Sequence, residues 1–246
     1  MRLTVLASGS TGNGYLLHNS KETLIIEAGV RLSIVKKALG FDLSGIAGCL
    51  VSHGHGDHSK HVKDYMNAGI MILSHEDLFL AKDIPTKDTR IKVMYAGRGY
   101  KTGNFRVIPF ELEHDVKCFG YLIDHPETGK IVFITDSYLC EYRFPGVNQI
   151  ILEANYCDDI LERNIVSGSV HPSMRPRLLK SHMELQTTIG ILRANDLTHV
   201  NNIVLCHLSS GNSDEARFIR EVKEATGKMV YAASPRLSID FNINIY

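Results

Sequence analysis

The chain has 246 residues, 44% of them hydrophobic, enough to bury the core of one α/β domain or of two smaller ones. Its 27 Lys and Arg balance 27 Asp and Glu, so the formal net charge is zero and nothing overall demands a polyanionic partner. No apolar run is long enough to span a bilayer, the opening Met-Arg-Leu-Thr is not a secretion signal, and the five cysteines include no Cys-x-x-Cys pair. The expectation is a cytoplasmic protein whose cysteines are small buried hydrophobes, with no membrane partner.

In chain order, Arg2–Ala7 reads as an opening strand. Ser8 to Gly14 reads as a tight Gly/Ser turn into a second strand over Tyr15–His18. The turn lacks the Lys-Ser/Thr of a phosphate-binding loop and leads into a strand, so its expected role is structural. Lys21–Ala28 reads as a third strand, Ser33–Leu39 as a helix closed by Gly40, and the apolar run Ile46–Val51 as a buried strand. Helices follow over Lys60–Asn67 and Glu76–Lys82, separated by a strand over Ile70–Ser74.

From Ile91 the pattern changes to strands and turns: Ile91–Tyr95, Asn104–Pro109, Phe110–Glu113, and a hairpin of Cys118–Ile123 with Lys130–Ile134. Gln149–Glu153 is an apolar strand. Residues 157–181 form a polar stretch that carries Arg163, His171, Arg175, Arg177 and Lys180. A helix is expected from Ser181 to about Asn195, a strand over Asn201–Cys206, and a helix over Asp214–Thr226 capped by Ser213 and stopped by Gly227. Met229–Ala233 and Leu237–Ile245 read as closing strands. No charged or low-complexity linker divides the chain, so residues 1–246 read as one domain of two sheet-bearing halves.

The densest chemistry lies at residues 52–61, Ser-His-Gly-His-Gly-Asp-His-Ser-Lys-His, where His53, His55, Asp57 and His58 follow the buried strand. Glycines between them let the backbone turn tightly enough to aim several side chains at one point. Imidazoles and a carboxylate converging there suit Zn²⁺ or another divalent ion that takes N and O ligands. Four separated residues recur in a similar context, just past an apolar strand: His114, Asp136, Glu153 and His207. Ligands gather at strand ends in α/β sheets, so these are the natural companions of the cluster. His61 and His75 have blander readings and stay outside the set.

The pattern His-x-His-x-Asp-His resembles the metallo-β-lactamase superfamily. The resemblance implies a four-layer αββα sandwich. It also implies two Zn²⁺ (Mn²⁺ as a substitute), the first held by His53, His55 and His114 and the second by Asp57, His58 and His207, with Asp136 bridging. Two such ions can share a hydroxide that attacks the substrate, and Asp57 beside it could accept a proton. The family usually carries Asp where Glu27 stands, in a position that braces the metal loop from behind.

The paired segments Glu153-Ala-Asn-Tyr and Ser181-His182-Met resemble motifs of the superfamily's phosphodiesterase branch, with its transfer-RNA 3′-end nucleases, small bacterial exonucleases and enzymes that open cyclic mononucleotides. There a histidine at the His182 position contacts the scissile phosphate and protonates the leaving oxygen. The basic residues between the two motifs, Arg175 and Arg177 among them, could grip a substrate phosphate. Asn155-Tyr156 departs from the Asn-His of the small exonucleases. The neutral charge, the lack of tryptophan and the absence of an inserted nucleic-acid clamp favour a small cyclic nucleotide, with DNA or RNA exonuclease as the alternative and thiolester or lactam hydrolysis a weaker one. A homodimer is expected from the resemblance alone.

Overall fold

A computed structural model describes Met1 to Asn244. The first sheet begins with β1 (Arg2–Ala7), β2 (Gly14–His18) and β3 (Thr23–Ile26). After α1 (Leu32–Ala38) come β4 (Ile46–Leu50), α2 (Gly56–Ser59), α3 (Val62–Asn67), β5 (Ile72–Ser74), α4 (Glu76–Ala81) and β6 (Ile91–Val93). The second sheet follows: β7 (Tyr100–Thr102), β8 (Phe105–Leu112), β9 (Cys118–His125), β10 (Gly129–Ile134) and β11 (Val147–Glu153). Then come α5 (Asp158–Val166), α6 (Met174–Ser181), α7 (Leu185–Arg193), β12 (Asn202–Cys206), α8 (Glu215–Thr226), β13 (Met229–Ala232) and β14 (Ser238–Asp240).

Two seven-stranded sheets result, ordered β14-β1-β2-β3-β4-β5-β6 and β13-β12-β11-β10-β9-β8-β7. The last strand leaves the second half and closes the first sheet against β1, pairing Leu3 with Ile239. In each sheet antiparallel strands meet a parallel run, β3 to β6 in one and β10 to β13 in the other.

The alternation of side chains along the strands produces four layers. Tyr15, Leu17, Ile26, Phe133, Ile151 and Val204 point between the sheets and pack with Phe119 and Tyr121. Their neighbours point outward: Leu16, Ile25 and Ile72 meet Val35, Tyr65 and Phe79 of the helices on one side. On the other, Ile150, Leu152 and Leu205 meet Leu185, Leu192 and Phe218. Strands covered on both faces read as continuous apolar runs, which is why they were legible.

Several boundaries differ from expectation. The helix expected over Lys60–Asn67 is broken, because His61 leaves the helical ladder and donates its N–H to Ala28 O at 3.0 Å, while the metal loop itself coils from Gly56. The third strand shortens to Thr23–Ile26, ended by the left-handed backbone of Glu27 (φ 69°). Asn104–Pro109 and Phe110–Glu113 fuse into one strand, with Pro109 beyond the stretch paired with β7.

The polar stretch 157–181 is largely helical, but Leu161 is the one buried residue of α5, too sparse an apolar face to show in the sequence. The helix expected from Ser181 starts at Leu185 behind an N-cap Glu184, and His182 ends the preceding helix instead. Asp214, not Ser213, caps α8 by accepting from Arg217 N at 3.0 Å. The closing strand expected over Leu237–Ile245 spans Ser238–Asp240, and Ile245 falls outside the described residues.

Among the described residues no helix is long and apolar enough to cross a membrane. All five cysteines are buried and unpaired with one another. Phe133 is fully buried between the sheets in edge contact with Tyr15. Phe133→Ala should lower the unfolding free energy by about 3–5 kcal/mol in chemical denaturation, through lost burial and the cavity left behind.

Candidate metal centre

Apart from Arg177, Ser181 and His182, which come from α6 and its end, the elements that reach the site do so at or just past a strand's C-terminal end. The Ser8 turn follows β1, Glu27 follows β3, His53 follows β4, His114 follows β8, Asp136 follows β10, Glu153 ends β11 and His207 follows β12. Backbone hydrogen bonds fix the loops there, one of them joining the two halves. Phe119 N donates to Ser52 O at 3.0 Å, Ala28 N to His58 O at 2.8 Å and Asn13 N to Asp57 O at 2.7 Å. Gly29 makes the last approach possible, since a Cβ at this residue would overlap the Asp57 carbonyl oxygen.

Two donor sets form around one carboxylate. His53, His55, His114 and Asp136 bring ligand atoms within 4.8 Å of one another, and Asp57, His58, Asp136 and His207 do the same. Asp136 belongs to both. Its Oδ2 lies 3.6 Å from His53 Nε2, 3.3 Å from His58 Nε2 and 4.0 Å from His114 Nε2, and its Oδ1 lies 3.5 Å from His207 Nε2. Asp57 Oδ2 stands 3.3 Å from His58 Nε2 and 3.2 Å from His207 Nε2. The seven residues singled out in the sequence therefore share one place, and Asp136 and His207 also fall in a third group with Glu153 and His182.

The surrounding groups hold these rings from outside. Glu27 is fully buried behind the loop, accepting from Ser52 N and standing 3.5 Å from His58 Nδ1. His58 Nε2, on the other side of the ring, faces Asp57 and Asp136. His114 Nδ1 donates to Ser181 O at 3.1 Å, leaving Nε2 toward Asp136. Asn155 Nδ2 donates to His207 O at 2.7 Å. Three of the described non-glycine residues with left-handed backbone, Glu27, Asp136 and His207, sit here, and such strain persists where surrounding contacts impose it.

Glu153 is fully buried and binds His182 Nδ1 through Oε1 at 2.8 Å, while Oε2 accepts from Ser137 N at 2.9 Å. His182 stacks on His207 with ring centroids 5.2 Å apart and lines the cleft. Arg177 also lines that cleft, of about 360 Å³, with Ser10, Asp115 and Ser181. Arg175 does not: its guanidinium lies 3.6 Å from Glu162 on an exposed surface, because successive α6 residues project in different directions. His61 pairs with Asp64 at 3.0 Å, and His75 caps α4 by accepting from Leu78 N at 3.2 Å, so neither joins the donor sets.

The glycine turn holds more than the sequence suggested. Asn13 is fully buried, its Nδ2 lying 3.0 Å from His58 Nε2 and 3.4 Å from Asp57 Oδ2, and Ser8 Oγ accepts from His207 N at 2.8 Å. The turn is structural, as expected, but what it structures is the site. Nothing local in Ser-Gly-Ser-Thr-Gly-Asn-Gly could show which distant residues it would meet.

Burial and charge divide the titrating groups. Burial, helped by the neighbouring rings, holds His53 well below the ordinary imidazole range and brings His114 down to about 4, against the pull of Asp136. His58 is pushed the other way: burial is outweighed by Asp136 and Glu27. Burial would raise Asp57, but hydrogen bonds from His207 and His58 hold its carboxyl far below the carboxylate range. Burial lifts Glu153 and works against charge on His182, yet the Glu153 carboxylate raises His182 to about 9.

A divalent ion fits this donor set. Nitrogen and oxygen donors in two groups of four match Zn²⁺ and the other first-row ions, and His53 Nε2 is buried without any hydrogen-bond partner. Titration with Zn²⁺ or Mn²⁺ should end at two ions per chain and raise Tm, by an amount equivalent to about 4 kcal/mol for each ion at a thousandfold excess over its Kd, and chelation should reverse it. Asp136→Ala should lower the stoichiometry below two, read by elemental analysis. Gly29→Ala should destabilise the chain by about 2 kcal/mol or more in denaturant melts, since it drives a methyl group into the backbone of the metal loop.

No family model matches the chain. It is similar over 229 residues, at 25% identity, to exodeoxyribonuclease YycJ of Bacillus anthracis, covering 87% of this chain and 84% of that protein. Exodeoxyribonuclease WalJ of Streptococcus pneumoniae is 23% identical over 227 residues, 86% of this chain and 83% of the relative. Among solved structures, the metallo-β-lactamase fold protein YhfI of Bacillus subtilis superposes with a TM-score of 0.72 over 97% of this chain and 99% of its own, at 17% identity. Two face-to-face mixed sheets, helices outside both and paired donor sets at the strand ends agree with that likeness: the chain has the metallo-β-lactamase fold.

Proposed function

We propose that the chain is a metal-dependent phosphodiesterase acting on DNA as an exonuclease. The observation that carries the phosphodiesterase reading is His182, held by buried Glu153 at 2.8 Å on the rim of a cleft whose floor is the doubled donor set. The sequence alone leaned toward a small cyclic nucleotide. DNA takes precedence because both relatives aligned over more than four-fifths of the chain are named exodeoxyribonucleases.

His53, His55 and His114 would hold one ion and Asp57, His58 and His207 the other, with Asp136 shared. When bound, a pair of divalent ions supplies an activated water and neutralises charge on phosphate oxygens. The remaining work falls to the chain's own side chains. Arg177 faces the cleft and offers a planar, permanently charged donor for a phosphate oxygen. His182, protonated through its Glu153 contact, is placed to give its proton to the departing oxygen. Asp57, whose Oδ2 lies 3.3 Å from His58 Nε2 and 3.2 Å from His207 Nε2, would serve as a ligand and, beside the activated water, as a proton acceptor.

A 3′,5′-cyclic mononucleotide is the second reading, favoured by the zero net charge and by a cleft of about 360 Å³. End-labelled single- and double-stranded DNA and cyclic nucleotides, each incubated with Zn²⁺- or Mn²⁺-loaded protein, separate the two. Stepwise release of nucleotides from DNA is expected. Intact DNA beside hydrolysed cyclic nucleotide would reverse the order.

His182→Ala should lower kcat on DNA by about 10²–10⁴-fold with metal content unchanged. The loss should be much smaller on bis(p-nitrophenyl) phosphate, whose leaving group needs no proton. Equal losses on the two substrates would remove the acid role.

A further inference from the structure

Asp115 lies in the cleft and has no part in the seven-residue donor set described above. Its Oδ1 stands 3.0 Å from His114 Nε2 and 3.4 Å from His55 Nε2. His55 Nδ1 is in turn 3.2 Å from the same His114 Nε2. Two donor atoms, Asp115 Oδ1 and His55 Nδ1, thus crowd around one nitrogen.

The direction in which that nitrogen points decides the meaning. Ser181 O can only accept a hydrogen bond, and it takes one from His114 Nδ1 at 3.1 Å. A ligating imidazole is neutral, so its single proton is then on Nδ1 and Nε2 presents a lone pair. Asp115 Oδ1, 3.0 Å from Nε2, is within reach of any ion that this nitrogen holds. The neighbouring Asp136 Oδ2, 4.0 Å from the same Nε2, adds a second carboxylate there.

We infer that Asp115 is an additional oxygen ligand for the ion held by His53, His55 and His114, converting this half of the site from a zinc-like set to one suited to a harder, higher-coordinate ion such as Mn²⁺. Three imidazoles with Asp136 make a four-donor set of the kind Zn²⁺ fills tetrahedrally. A fifth donor, a carboxylate, favours ions that take more ligands and more oxygen. Asp115 is exposed on one side, so it can adjust to a larger ion without repacking the core. The other half already has a cleft-lining carboxylate of its own, Asp57, but only two imidazoles, so the two halves differ in their ratio of nitrogen to oxygen donors.

The inference rests on the metal reading above but is tested without substrate. Mn²⁺ and Zn²⁺ are titrated separately into metal-free wild type, Asp115→Asn and Asp115→Ala, with bound Mn²⁺ followed by electron paramagnetic resonance and Zn²⁺ by competition with a chromophoric chelator. Both variants should weaken the Mn²⁺ at one of the two sites by about tenfold or more, change its spectrum, and leave Zn²⁺ affinity within about threefold. Equal weakening of both metals would assign Asp115 to steering the His55 ring and overturn the ligand role, as would no change in either. Failure of wild type to bind either ion would instead sink the metal reading itself. Matching melting curves for the metal-free proteins establish that the substitutions have not unfolded the chain.

Discussion

Asp136 is a carboxylate buried among imidazoles, and the rest of the site is arranged around keeping it there. An isolated charge taken out of water loses several kcal/mol of hydration even after relaxation, so it must be surrounded by compensating positive charge or a bound cation. Here four rings from three separate loops stand 3.3–4.0 Å from its two oxygens. The left-handed backbone at Asp136 (φ 48°) turns the chain sharply as β10 ends and places the side chain where the two sheets open. Removing the carboxylate would leave two half-sites with nothing in common.

Holding that convergence needs both sheets in fixed register. The inter-sheet core of Tyr15, Phe119, Tyr121 and Phe133 sets the distance between the layers, and Tyr121 reaches across to donate to Val51 O at 2.6 Å, two residues before His53. The Phe119-to-Ser52 backbone bond and the Asn13-to-Asp57 bond then fix the loops themselves. Packing at crystal-like density resists small displacements, so ligand positions built on strand ends are held more tightly than free loops would be. The glycine turn after β1 belongs to this framework as much as the histidine loop does.

The electrostatics separate two tasks within a few ångströms. Toward the His53 and His114 side, burial and neighbouring rings favour neutral imidazoles, the form that binds metal. Toward the cleft, Glu153 favours a proton on His182, the form that can protonate a leaving group. Environments that push similar groups apart are a familiar sign of divided acid–base and ligand roles. Asp115, poised between the first donor set and solvent, extends that division to the two metal positions.

Much of this was written in the chain itself. Apolar runs covered on both faces marked the strands, and the spacing of His53, His55, Asp57 and His58 marked the metal loop, because short-range periodicity and local ligand density survive without a fold. His114, Asp136, Glu153 and His207 were legible from their place after strands, and the geometry brings all four to the same edge. The helices over 158–181 were not, since so few of their residues face the core.

Nor could the sequence separate Arg177, which lines the cleft, from Arg175, which pairs with Glu162. Asn13, Ser8 and Asp115 also escaped it: each acquires its role from a residue far away along the chain or from the direction in which a turn aims its side chain. The sequence by itself determined which side chains were available and which strands would carry them. The tertiary structure alone decided which of them meet, because a contact between His207 and Asp57, 150 residues apart, exists only once two sheets have packed and brought their strand ends to one edge.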